Sequence, residues 1–161
     1  MAGKLQRELK KRGPFASLEQ ESILSIARTG DQLFIRAERL LREHGLTGPQ
    51  YNVLRILRGE GKPLPMQEIA GRTVQVVPGI TGLVDRLEAA GLVRRERSTE
   101  DRRVIFAAIT PRALELLARI DAPLLALEKK LLGGLTEAEQ RQLLDLLEKI
   151  RDHVERVVPL T

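Results

Sequence analysis

No cysteine occurs in this chain. That excludes a disulfide framework, a thiolate redox sensor and any thiolate-held zinc. Tryptophan is missing too, and aromatics make up 2% of the residues. That is too few for the base-stacking platforms of RNA-binding sheets and single-strand grooves. The only histidines, His44 and His153, lie far apart along the chain, so no clustered metal site is expected. The sequence offers no glycine-rich phosphate cradle, no serine nucleophile beside a base and no histidine–carboxylate cluster. Neither an enzyme nor a bound cofactor is therefore expected. No segment nears the roughly 20 apolar residues of a membrane span. The expected location is the cytoplasm, with no membrane partner.

What is present is a globular balance: 161 residues, 42% hydrophobic and 30% charged, with a net charge of +5 that suits a polyanionic partner. The most informative stretch is residues 64–110. It predicts a short helix over 66–72 and a second helix over about 77–90. The second carries Ile80, Leu83, Val84 and Leu87 on one face and ends at Gly91. Strands follow at 92–97 and 104–109, joined by an arginine-rich turn, and Leu64 reads as a one-residue edge of the same sheet. A helix–turn–helix followed by a basic β-hairpin is a winged helix, which sets one helix in a DNA major groove and an arginine in the adjoining minor groove.

Candidate DNA-contacting residues follow from that placement. At the start of the second helix, Gln75 and Thr81 carry groups able to read base edges. Val77, Pro78 and the Thr81 methyl suit thymine methyls, while Gly79 and Gly82 allow close backbone approach. Arg86 either reaches a phosphate or pairs on the surface with Glu88 or Asp85. In the wing, Arg95, Arg97, Arg102 and Arg103 are the candidate cations, since a weakly hydrated guanidinium suits a narrow minor groove. Asp101 either holds a neighbouring arginine in one rotamer through a bidentate pair or caps the hairpin turn. With so few base-reading groups, phosphates and the wing should dominate affinity.

The flanks read as helices. Ser17 and Gln20 form a capping box ahead of a helix that runs to His44 and stops at Gly45; at 1.5 Å per residue it is about 40 Å long. Its length exceeds what a small winged helix can cover. Lys4 to Arg12 form a basic arm, either a solvated tail or an electrostatic contact to DNA or a partner subunit. Thr47 and Gln50 form a second box, with Pro49 in the first turn. Thr110–Pro111 starts a helix in which Pro123 should kink or break the run near Asp121. Thr136 and Glu139 cap a last helix with Leu143, Leu146, Leu147, Ile150, Val154 and Val157 on one face. The terminal helices read as a dimerisation module or, alternatively, as packing on their own domain. The expected organisation is an arm and dimerisation helix (1–46), a winged helix–turn–helix (47–110) and C-terminal dimerisation helices (111–161). The fold class is mainly α with a small β-hairpin wing.

Leu46-Thr47-Gly48-Pro49-Gln50-Tyr51, the run Ile80 to Glu88, Gly91-Leu92-Val93-Arg94-Arg95, Asp101-Arg102-Arg103 and Ile109-Thr110 together resemble the MarR family of transcription factors. The resemblance spans about residues 18–157; positions 73–77 depart from the family pattern. It implies a homodimer whose two winged helices bind a palindromic operator on double-stranded DNA, usually as a repressor. It places Asp101 and Arg103 in the family's wing motif, with the arginine entering the minor groove. It also implies release by a small phenolic or aromatic effector, for which His44 and Tyr51 are candidate contacts. Their alternatives are a histidine favoured by a helix C-terminus and a packed tyrosine. A winged helix serving protein assembly, without ligand response, is the other functional class considered; it would leave the wing arginines without a purpose.

Overall fold

The structure, a computed structural model, describes residues 3–75, 79–98, 101 and 103–159. A short helix α1 (Lys4–Glu8) precedes the long α2 (Leu18–Glu43). The Ser17 hydroxyl accepts from the Gln20 N–H at 3.2 Å, but the Gln20 side chain reaches back to the N–H of Ala16 at 2.9 Å, one residue earlier than a capping box requires. At the other end the chain leaves α2 through Gly45. The N–H of Leu46 bonds the Leu41 carbonyl and that of Gly45 bonds the Arg42 carbonyl, both at 3.0 Å. This is a Schellman closure that buries Leu41 against Leu46.

Helix α3 (Gly48–Glu60) starts with the expected box: Thr47 accepts from the Gln50 N–H at 3.4 Å, and Gln50 accepts from the Thr47 N–H at 2.9 Å. A third contact was not legible in the sequence. Glu38 of α2 accepts from the Gly48 N–H at 2.6 Å, satisfying one more orphan donor of that helix start. Strand β1 (Leu64–Pro65) leads into α4 (Met66–Gly71), then α5 (Ile80–Ala89), β2 (Val93–Arg97) and β3 (Ile105–Ile109). The sheet order is β1-β3-β2, antiparallel throughout, with Leu64 opposite Ala107 and Arg95 also paired to Ala107 from the other side. The edge strand is thus two residues long rather than one.

The core lies between α3, α4, α5 and the sheet. Val53, Leu54, Leu57, Ile69, Val84, Leu87 and Ala107 are fully enclosed there. Each such leucine contributes roughly 1.5–3 kcal/mol by leaving water. Helix α6 (Pro111–Leu132) is begun by Thr110, whose hydroxyl accepts from the Ala113 N–H at 3.3 Å and donates to the Gly91 carbonyl at 2.8 Å. The expected break at Pro123 does not occur: α6 is continuous through it. A proline forfeits one N–H···O bond and crowds one carbonyl, and the turns on either side are long enough to carry the helix past that local loss.

The chain divides into two compact units, one ending at Pro123 and the other beginning at Leu124. The second unit contains the end of α6 and α7 (Glu137–Val157), whose Thr136–Glu139 capping box is complete. No residue of α7 is buried. Among the described residues, no helix is long and apolar enough to cross a membrane.

Candidate nucleic-acid interface

The exposed side of α5 and the β2–β3 hairpin form the candidate interface. Helix α5 turns Leu83, Val84 and Leu87 into the core. That leaves Thr81, Asp85, Arg86 and Glu88 exposed, with Gly82 half-buried. The helix begins at Ile80, not near Val77, because Gly79 sits at φ 77° and ψ 48°. A left-handed residue cannot continue a right-handed helix, so Gly79 is the N-cap of α5. Before the undescribed residues 76–78, Gln75 is exposed, and its carbonyl accepts from the Thr73 hydroxyl at 2.7 Å. Val77, Pro78 and Arg102, all expected at the interface, lie outside the described residues.

Helix α5 passes into β2 through a second Schellman closure. Gly91, at φ 70°, supplies the left-handed residue, and the Leu92 N–H bonds the Leu87 carbonyl at 2.9 Å. This sharp exit sets β2 alongside α5. Along β2, side chains alternate between faces. Arg94 and Glu96 share one face and pair at 2.7 Å. Val93, Arg95 and Arg97 share the other, where Val93 enters the core. Arg95 therefore points toward α5: its Nη2 pairs with Asp85, and its Nε lies 3.3 Å from Glu88. The Arg95 backbone N–H also donates to Glu88 at 3.0 Å. Arg97, two residues farther out, is exposed and has no carboxylate partner among the described residues.

At the hairpin tip, Asp101 accepts from the Arg103 N–H at 2.9 Å through its side chain and from the Val104 N–H at 2.9 Å through its carbonyl. Its own N–H donates to Ser98 Oγ at 3.2 Å. Among the described residues no ion pair joins Asp101 to an arginine, so here it caps the turn. The Arg103 side chain is exposed. Arg86 makes neither of the surface pairs considered for it, because Arg95 occupies Asp85 and Glu88. Its guanidinium lies back along the helix: a Cβ built at Gly82 would come 3.9 Å from Arg86 Nη1. Around α5 and the hairpin, Arg94 thus pairs with Glu96, and Arg95 is shared between Asp85 and Glu88. Arg86, Arg97 and Arg103 are left as unmatched, exposed cations among the described residues. Such a surface can hold a polyanion.

His44 is the C-cap residue of α2, and Tyr51 is half-buried in the first turn of α3. Farther along α3 the structure shows a pair that sequence reasoning missed. Arg58 of α3 grips both carboxylate oxygens of Asp121 of α6 at 2.8 and 3.0 Å. Asp121, and more weakly Tyr51, raise the Arg58 pKa above its ordinary value. The two residues are 63 positions apart, so no local spacing announces them. The Arg95 contacts were closer to legible: Asp85 and Glu88 stand three apart on one helix face, and Arg95 shares a strand face with Val93.

The model of the MarR family matches residues 44–104. The chain is 33% identical over 118 residues to the uncharacterized HTH-type transcriptional regulator YkoM of Bacillus subtilis (strain 168), covering 73% of this chain and 75% of that one. It is 37% identical to the MarR transcription factor of Planctomyces limnophilus, whose crystal structure it matches with a TM-score of 0.65 over 84% of this chain and 98% of that one. The chain belongs to the MarR family. This MarR-family protein is accordingly a transcriptional regulator and not an enzyme, and its winged helix is the family's fold. It is also 27% identical over 110 residues to the homoprotocatechuate degradative operon repressor of Escherichia coli, covering 68% of this chain and 74% of that one.

Proposed function

We propose that the regulator is a homodimeric repressor that binds a palindromic operator and lets go when a small aromatic or phenolic ligand binds. Residues 47–110 supply DNA recognition; residues 1–46 and 111–161 supply the dimer helices. The observation that carries the DNA reading is the set of exposed guanidiniums on α5 and the hairpin without a carboxylate partner among the described residues, Arg86, Arg97 and Arg103. In this reading α5 enters the major groove, with Thr81, Gly79, Gly82 and Gln75 near base edges and Arg86 on a phosphate. Arg103, placed by the Asp101 turn, enters the minor groove. The two recognition helices of a dimer must then sit about 34 Å apart, one turn of DNA.

The dimer reading is supported by the open apolar stripe of α7, on which Ile150 is 45% and Val154 48% exposed. The repressor and aromatic-ligand readings rest on family membership and on the name of the homoprotocatechuate operon repressor. His44 and Tyr51, at the α2–α3 junction, are the proposed ligand contacts. A ligand there would act by favouring an arrangement of the two recognition helices that no longer fits the operator spacing.

Fluorescence anisotropy on duplexes from the gene's own upstream region, with mass measured in parallel, tests the DNA reading. Arg103→Ala should weaken operator binding by about 1–3 kcal/mol with the dimer mass unchanged. Unaltered affinity would remove the wing from the mechanism. A titration with salicylate and related phenols that never shifts operator affinity would remove the effector.

A further inference from the structure

We infer that Arg95 is a positioning residue that locks the hairpin to α5, rather than a cation that contacts DNA. The inference rests on the DNA-binding reading and deepens it. Arg95 is the one hairpin arginine among the described residues whose head group crosses to the recognition helix. Its Nε and Nη2 are shut off from solvent, and what they face is carboxylate: Glu88 for Nε and Asp85 for Nη2. These are ion pairs without hydrogen-bond alignment, whereas the Arg95 backbone N–H makes an aligned bond to the same Glu88 at 3.0 Å. One strand residue thus reaches two carboxylates a turn apart on the helix through side chain and main chain together. Opposite it in the ladder stands Ala107, fully buried and small enough to leave the arginine stem room.

The position of this lock matters. It sits at the base of the hairpin, with Arg97 two residues beyond it on the same strand face and Arg103 farther out past the tip. At about 3.4 Å per residue the tip lies some 10–15 Å from the lock. A tilt of about 10° there moves the tip arginines by ~2 Å, a large fraction of a minor groove about 6 Å wide. The lock also sets one positive charge against Asp85 and Glu88, which would otherwise present two uncompensated negative charges from the recognition helix to the phosphates. Arg95 therefore contributes to DNA affinity through Asp85 and Glu88 and touches no phosphate itself.

The test uses the full-length protein and its upstream duplex, with affinity measured across a salt series for wild type, Arg95→Lys, Arg95→Gln, Asp85→Asn/Glu88→Gln and the combination of the last two. Arg97→Gln serves as the direct-contact comparison. Lysine keeps the charge but has a single ammonium, unable to span both carboxylates. A positioning role predicts that Arg95→Lys loses about tenfold or more in affinity, nearly as much as Arg95→Gln. The slope of log affinity against log salt should be the same for Arg95→Lys and Arg95→Gln, whereas at a direct phosphate contact only the glutamine variant, like Arg97→Gln, would lower it by about 0.9 for each phosphate no longer neutralised. Asp85→Asn/Glu88→Gln should also weaken binding although it removes negative charge, and adding Arg95→Gln to it should cost nothing more. Circular dichroism and mass confirm that each variant is folded. If Arg95→Gln unfolds, Arg95→Lys and the carboxylate variant carry the test. Wild-type-like affinity for Arg95→Lys, a slope lower for Arg95→Gln than for Arg95→Lys, or tighter binding by the carboxylate variant would each overturn the inference and make Arg95 a phosphate contact. If wild type binds no duplex at any salt, the DNA-binding reading itself fails.

Discussion

The unit ending at Pro123 and helix α7 use the same aliphatic residues to opposite ends. In the first, Leu54, Leu57 and Leu87 are 0% exposed, closed in by three helices and a sheet. In α7, Leu144 is 65%, Leu146 50% and Ile150 45% exposed, and nothing on the helix is buried. Composition alone does not separate the two; the availability of a facing surface does. A 21-residue helix with a complete capping box still gains only marginal stability from its own backbone, since most helix stability in proteins comes from packing an apolar face. The first unit carries its own driving force for folding. The second presents a heptad-spaced stripe, Leu143, Leu147, Ile150, Val154 and Val157, no residue of which is buried; under the dimer proposal, its driving force would come from a second copy covering it.

The contrast is broken most completely at the stripe. Ile150→Asp should abolish dimerisation, with mass falling to the 18.0 kDa of one chain and thermal stability no longer rising with protein concentration. A variant that stays dimeric and melts like wild type would show that the stripe is not an interface. Leu57→Ala, in the closed core, should cost about 3 kcal/mol in urea unfolding through reduced burial and the cavity left behind. A cost below about 1 kcal/mol would mean that the site collapses around the smaller residue. Pro123→Ala, at the boundary between the units, should restore a helical N–H to α6 and stabilise by about 1–3 kcal/mol. A lowered melting midpoint would instead show that the proline's local geometry is needed.

The smallest effect concerns pH. The N–H and hydroxyl of Thr136 hold the Glu139 carboxyl below its ordinary pKa. A depressed folded-state pKa contributes stability above the unfolded value, and that stability is lost as pH falls through the folded value. Glu139→Gln keeps an acceptor for the cap, so its melting midpoint should fall less than that of wild type between pH 7 and pH 3. Equal falls would place the acid sensitivity elsewhere.

What the sequence made legible was local. The caps at Thr47, Thr110 and Thr136, the exits at Gly45 and Gly91 and the alternation of the strands are all set within a few residues, and each element formed within a few residues of its expected limits. The first residue of α5 was not legible, because one left-handed glycine decides it and the neighbouring Val77 and Pro78 are compatible with a helical start. Which hairpin arginine would be taken was not legible either. Five arginines fall between positions 94 and 103, and the choice depends on the rotation of α5 against β2, which local periodicity does not set. Asp101 shows the same limit: its type fits both a side-chain pair and a turn cap, and only its contacts with Ser98, Arg103 and Val104 select the cap.

The contact between Glu38 and Gly48 has an evolutionary consequence. A Cβ at position 48 would come 2.7 Å from the Glu38 carboxylate oxygen that now takes the Gly48 N–H. The carboxylate could swing aside, but the first amide of α3 would then lose its acceptor. Any side chain at position 48 is therefore disfavoured for as long as position 38 is glutamate, whereas an ancestor without that glutamate would have been free to vary there. A side chain at position 48 and a glutamate at position 38 that caps α3 should thus be found together less often than either alone.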